Sequence, residues 1–262
     1  MRYCACYSHK PAFFVDNRIG LEAQIDKDDA TPEWAEFAPL LAIAHLPYSG
    51  RDGHPLNIAA FDDAVREADI AYLEETLLRA ADYGVDRVVV HCGYESLNDE
   101  LVGSYERMID GFRRLADTAA GRKVILGIEN MVLREPVKRR MFACDAMEWL
   151  HIHDDVARSN VGLVLDTSHA SSSVQHYRTA EERSRHLYDF LARPEIICHL
   201  HWSDGRIMEG DALFKDLHLI PGDGDLPHEF HRRLKRLDAT RTLEQHCSDE
   251  DTLRGIAFIE SL

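Results

Sequence analysis

The chain has no run of 18 or more apolar residues, and this excludes a membrane-spanning helix. Its opening, MRYCACYSHK, lacks a charged stretch leading into an apolar segment, so no secretory leader is read there and the expected compartment is the cytoplasm. Six cysteines occur, at positions 4, 6, 92, 144, 198 and 247, and none forms a CxxC pair. Most sit inside apolar runs, so buried free thiols are expected rather than a disulfide framework. No GxGxxG follows the first apolar run, which counts against a dinucleotide-binding open sheet. No repeat, low-complexity tract or linker interrupts the sequence, and residues 1–262 are expected to form one domain. Basic residues are also scarce: 30 Lys and Arg stand against 46 Asp and Glu, a net charge of -16. Avid non-specific binding to nucleic acid needs the opposite balance, although a local basic groove is compatible with it.

What the sequence does have is eight short apolar runs. They fall near residues 2–8, 19–25, 40–44, 87–90, 123–128, 161–165, 195–200 and 240–243, and helical periodicity follows most of them. Ile70, Leu73, Leu77 and Ala81 mark a helix over about 61–83. Further helices are expected near 98–119, 143–156 and 230–237. Thr31 with Pro32, Thr179 with Glu182, and Ser248 with Asp251 read as helix starts. Continuous apolar strands are typical of parallel sheets covered on both faces. Eight such units in this length point to an α/β fold, a (β/α)8 barrel. The first units are irregular, because the link between the first two strands is too short for a full helix with its loops.

The chemistry lies in where the polar residues fall. His45, His91, Glu129, Asp166, His201 and Glu244 each end an apolar run or directly follow one. In a barrel those ends share one face. His169, Asp216 and His218 fall in loops on that face, and Asp216 and His218 are two apart. Converging imidazoles and carboxylates are costly unless they hold a cation or one another, and they suit a divalent ion such as zinc or manganese. His199 and His246 lie two residues from a proposed donor and share its facing, so substrate contact or support of the donors is expected of them, as it is of Asp204. Arg206 is a candidate for a substrate phosphate or hydroxyl. His9, His54, His151, His153, His176, His186, His228 and His231 read as surface or loop residues.

The strings AHLPY, VVVHCG, GIENM, LVLDTSHA, HLHWSDG, DLHLIPGDGD and TLEQ occur in this order. Together they resemble the xylose isomerase-like TIM-barrel superfamily, which includes endonuclease IV and many sugar isomerases and epimerases. The resemblance covers about residues 40–246. By endonuclease IV it implies a nine-donor, three-zinc site at His45, His91, Glu129, Asp166, His169, His201, Asp216, His218 and Glu244. By the ketose epimerases it implies one manganese-type ion on Glu129, Asp166, His201 and Glu244. There His169 would contact substrate, and Glu129 and Glu244 would move protons. Tyr48 matches a tyrosine of the nuclease pattern. The chain departs from that pattern at MVLREPVKRR, where the nuclease has a Gly-rich turn, and at the inserted SGRDGHPLN.

Two reactions follow as expectations. The first is isomerisation or epimerisation of a sugar or sugar phosphate, with the cation polarising a carbonyl while Glu129 or Glu244 takes the neighbouring proton. The alternative is zinc-dependent hydrolysis of a phosphodiester such as abasic-site DNA. One to three divalent cations per chain are expected, according to which reaction holds.

Overall fold

The computed structural model describes residues 3–26, 32–96, 101–133, 139–208 and 216–262. The strands among them are β1 (Cys4–Cys6), β2 (Gly20–Gln24), β3 (Leu41–His45), β4 (Arg87–Val90), β5 (Tyr94–Ser96), β6 (Ile125–Glu129), β7 (Arg139–Met141), β8 (Val161–Asp166), β9 (Ile197–His201) and β10 (Thr240–Leu243). Eight of them close into a parallel barrel in the ring order β1-β10-β9-β8-β6-β4-β3-β2. The ring shuts where Cys4 lies beside Thr242 and Ala5 beside Leu243.

Helices α1 (Pro11–Asn17), α2 (Pro32–Phe37), α3 (Asp63–Asp82), α4 (Leu101–Ala120), α5 (Ala146–Val156), α6 (Thr167–Ser173), α7 (Ala180–Leu187), α8 (His228–Arg236) and α9 (Asp249–Ser261) connect the strands. The starts of several are set by side-chain caps that satisfy the first free backbone N–H groups. Asp62 and Asp145 cap α3 and α5, Thr179 and Glu182 form a reciprocal capping box on α7, and Ser248 caps α9. The Thr31 cap and the expected helix start near Asn98 lie outside the described residues.

Helix α4 shows how the outer layer is held. Met108, Phe112, Leu115 and Ala119 recur at helical spacing and are buried against the barrel. Burying each of the larger three stabilises the fold by about 1.5–3 kcal/mol. On α3 the buried residue at the end of the stripe is Ala80, with Ala81 only partly covered.

Strand alternation separates two environments. Outward-turned residues such as Val88, Val90, Leu163 and Leu165 face the helices and join the main core. Their neighbours face into the ring, where Cys4, Ile43, Val89 and Val164 form a small apolar plug. Gly127 makes room for the plug, and Gly162 for the neighbouring Cys198. A Cβ on Gly127 would stand 2.5 Å from Val164 Cγ2, and one on Gly162 would stand 2.7 Å from Cys198 Sγ.

Three expectations are corrected. The first link does hold a helix, the seven-residue α1, which ends at Arg18 in a left-handed conformation and so turns sharply back into β2. The separate two-stranded antiparallel sheet of β5 and β7, with Glu95 beside Arg140, was not anticipated. Of the histidines expected on the surface or in loops, His9 lies in a loop but is buried, and His231 is buried on α8. His9 ties the β1–α1 loop to α9 through Asp249 and Thr252, and His231 accepts the Trp202 indole N–H. The cysteines are free thiols, four of them buried and Cys198 and Cys247 half-buried. No helix among the described residues is long and apolar enough to cross a membrane.

Candidate metal centre

The inward parity that places Ile43, Val89 and Val164 in the plug places His45, His91 and Asp166 one step higher, because they follow at i+2. Glu129, His201 and Glu244 rise above Gly127, His199 and Thr242 in the same way. Six chain segments thus deliver a ring of donors at the carboxyl ends of the strands.

Their donor atoms fall into overlapping groups, each within 4.8 Å. His45, His91 and Glu129 make the first. Glu129, Asp166, His201 and Glu244 make the second. Asp166, His169 and His218 make the third. Asp216 joins that last group, with oxygens 2.8 Å from His218 Nε2 and 3.4 Å from His169 Nε2. Glu129 is shared in a specific way. Its Oε2 faces His45 Nε2 at 3.3 Å and His91 Nε2 at 3.1 Å, while its Oε1 faces His201 Nδ1 at 2.9 Å. One carboxylate therefore offers one oxygen to each of two neighbouring groups.

The donor set fits divalent cations. Three carboxylates around one imidazole form the second group, an arrangement that is unstable in a buried site without positive charge. Asp166 Oδ2 and Glu244 Oε2 are buried and accept no well-aligned hydrogen bond, and both crowd the same His201 Nδ1, at 3.6 Å and 2.9 Å. Several imidazoles have their second nitrogen already committed, as metal-ligating histidines do. His45 Nδ1 lies 2.8 Å from the Leu46 carbonyl and His169 Nδ1 lies 2.7 Å from the Asn130 carbonyl, so each donates there and turns Nε2 inward. Mixed imidazole and carboxylate donors suit zinc or manganese.

The same crowding shifts the titrations. Burial opposes protonation of His201, but Glu244, Glu22 and Glu129 outweigh it and raise its pKa well above the ordinary value. Burial is overcome likewise at His169, pushed up to about 10 chiefly by Asp166, and at His218, pushed up to about 9 by the same carboxylate. Glu244 falls to about 2 because His201 outweighs the cost of its burial, and Glu129 and Asp216 are also held low by their imidazoles. At His91 burial prevails and the pKa drops.

The third group depends on a loop from β9 to α8. Ser168 Oγ accepts the backbone N–H groups of Leu217 and His218, both at 3.0 Å, and donates to Asp216 at 2.9 Å. His218 itself takes a left-handed φ of 40°, a strained conformation of the kind that concentrates at functional sites. Residues 209–215 of that loop lie outside the described residues.

Above the donors opens a cavity of about 1230 Å³. Seven of the nine donors reach its wall, while Asp166 and His201 lie behind it. Tyr48 and His246 also line it, and the Tyr48 ring, 58% exposed, stacks on His91 at 5.7 Å. Arg140 is the one Lys or Arg among the described lining residues, and it is held by Glu148 at 2.9 Å and Glu95 at 3.6 Å.

Three residues expected to contact substrate, two of them (His199 and Asp204) with support of the donors as the alternative, lie off the cavity wall. His199 is buried one layer below His201 and bonds to Glu22. Asp204 is buried, where it accepts the N–H groups of Gly205, Gly222 and Leu226 and so braces the β9–α8 loop. Arg206 turns away to the Asp223 carbonyl at 3.0 Å and is not at the cavity wall. Glu22, by contrast, was missed. It sits at the floor of the cavity within hydrogen-bond reach of His199, His201 and Thr242. Its signal was a lone acid in the apolar run GLEA.

Comparison with known proteins agrees with this architecture. The curated relatives include probable endonuclease 4 of Mycobacterium tuberculosis, 25% identical over 213 residues and covering 81% of this chain and 75% of that protein. Probable endonuclease 4 of Mycobacterium leprae is 29% identical over 216 residues, covering 82% and 76%. Among solved structures, a D-tagatose 3-epimerase-like protein superposes with a TM-score of 0.74 at 17% identity, covering 100% of this chain and 96% of that one. A Thermus thermophilus protein soaked with ZnCl2 gives a TM-score of 0.70 at 20% identity, with coverages of 100% and 97%. At these identities the structural likenesses show the fold. The profile described as xylose isomerase-like TIM barrel matches residues 14–262, and the chain belongs to that family.

Proposed function

We propose that this protein is a divalent-metal-dependent hydrolase of phosphoester bonds, with two or three cations held by the nine donors. The observation that carries the reading is the division of Glu129 between two donor groups, one oxygen to each. A reaction needing one cation leaves His45, His91, Asp216 and His218 without work. Cations bound side by side would supply the charge that polarises a phosphorus centre, acidifies an attacking water and steadies the leaving oxygen. Around them, His45, His169 and His201 would keep fixed tautomers, and Tyr48 and His246 would contact the substrate. The similarity to probable endonuclease 4 proteins supports this chemistry.

The substrate we infer is a small phosphoester such as a sugar phosphate, rather than duplex DNA. The net charge of -16 opposes approach to a polyanion, and among the described residues the cavity wall offers a single guanidinium, already shared by two carboxylates.

A second reading keeps sugar isomerisation or epimerisation. It is favoured by the second group alone, where Glu129 and Glu244 flank His201 and Glu244 keeps 29% of its side chain exposed. Either glutamate could then carry a proton beside a sugar carbonyl, as the D-psicose 3-epimerase likeness suggests (TM-score 0.70, 19% identity, 98% of each chain). Cation counting with two assays separates them. Two or three zinc ions per chain, with turnover of bis(4-nitrophenyl) phosphate or a sugar phosphate, supports hydrolysis. One exchangeable manganese with epimerisation of a ketose and no phosphate release rejects it.

A further inference from the structure

We infer that Glu22 is a positioning residue for the central cation group, acting from below through His201. The inference rests on that group holding a cation and not on which reaction the cation serves.

The two nitrogens of His201 face different surroundings. Nδ1 lies 2.9 Å from Glu129 Oε1, 2.9 Å from Glu244 Oε2 and 3.6 Å from Asp166 Oδ2. Nε2 points the other way, 2.8 Å from Glu22 Oε1. A neutral imidazole has one N–H and one lone pair. With Nε2–H donated to Glu22, the lone pair on Nδ1 is left for the carboxylate-lined side. The opposite tautomer would set the Nε2 lone pair against the Glu22 carboxylate.

Glu22 is itself locked. Its Oε2 accepts His199 Nε2–H at 2.9 Å and the Thr242 hydroxyl. His199 Nδ1 lies 2.7 Å from Thr240 Oγ1, which in turn accepts from Arg87 Nη1 at 2.5 Å. A polar chain therefore runs through the interior, from Arg87 at the start of β4 to the donor ring at the opposite strand ends. Barrel interiors are ordinarily filled by apolar side chains, and this one is so filled only at the plug. A carboxylate only 4% exposed is costly to keep there. Its geometry gives it a purpose: it sets the tautomer and ring angle of His201 and makes Nδ1 more basic toward a cation.

Two measurements test this. In protein labelled with 15N histidine and loaded with 113Cd, His201 Nδ1 should show coupling to cadmium while Nε2 keeps a slowly exchanging proton. Cadmium coupling at Nε2, or loss of that proton, overturns the inference, and no variant is needed. In the second, Glu22→Gln replaces the charge with an amide whose single oxygen accepts from only one of the two rings. Titration with Co(II), read by its visible absorption, should show the central site weakened about 10- to 100-fold with an altered spectrum. Cobalt binding at the outer groups should be unchanged. A folded variant with lower thermal stability but unchanged central affinity and spectrum would mean that Glu22 only packs the barrel. Because both readouts follow cation binding, they stand whichever reaction is found.

Discussion

Replacing Glu129 by glutamine should remove two cations with one substitution. The carboxylate is 1% exposed and its oxygens face four imidazole nitrogens: His45 at 3.3 Å, His91 at 3.1 Å, His201 at 2.9 Å and His169 at 3.6 Å. Glutamine keeps the shape, loses the charge, and presents an amide N–H₂ to one side. Removing one charged partner from a buried set costs about 3–5 kcal/mol. At about 1.4 kcal/mol per tenfold, affinity in both groups that share Glu129 should fall by two to three and a half decades. The group built from His169, Asp216 and His218 does not depend on either Glu129 oxygen as its main donor and should stay loaded. Elemental analysis after dialysis against a weak chelator reads the outcome, with His45→Ala as the comparison. The expected pattern is two cations lost with Glu129→Gln and one with His45→Ala, with phosphoester turnover falling at least a hundredfold in the first. A Glu129→Gln protein that loses a single cation, or none, refutes the bridging role.

Acidity should act oppositely on the cation-free and loaded forms. His169 and His218 have folded pKa values of about 10 and about 9, above the ordinary 6.5. Their contribution to stability is therefore complete below about pH 6.5 and is lost as pH rises through 9 and 10. Thermal melts of chelator-treated protein should move down across that window. Cation binding must displace both protons, so affinity at the third group should rise by up to about a hundredfold per pH unit between 7 and 9, a slope that calorimetric titration can measure. A pH-independent affinity would contradict the arrangement. Separately, Gly162→Ala forces a Cβ to 2.7 Å from Cys198 Sγ and 2.8 Å from its Cβ, inside the closed ring. Overpacking of this kind costs about 1–3 kcal/mol. In a chain of this size the melting temperature should fall by about 2–10 °C, and an unchanged melt would show that the barrel wall yields at no cost.

The barrel was legible because its strands are continuous apolar runs, and six of the nine candidate donors because each ends such a run or directly follows it, whereas His169, Asp216 and His218 fall in loops. His45 after LAIA and Asp166 after VGLVL are conspicuous for that reason. The interior of the ring was harder to read. Glu22 lies in the middle of GLEAQ, where an acid suggests an outward position, and only closure of the sheet turns it inward beneath His201. His199 shares the inward facing of His201, but two residues before it is one layer down, away from the cavity and against Glu22. Asp204 is expected at the substrate or in support of the donors, yet its carboxylate is consumed by three backbone N–H groups of the loop it braces. The β5–β7 sheet left little trace, since YES and RRM lack the branched apolar residues that mark strands. Helix α1 was hidden by its brevity, and its Lys10 start carries no side-chain cap.

The ring closes through its first and last members, and Glu22 meets Thr242 from 220 residues away. During synthesis, His45 and His91 must therefore leave the ribosome long before Glu244 exists to complete the central group. Until then no partial product of translation presents the complete donor set, and any incorporation of metal would be a step that follows synthesis instead of accompanying it.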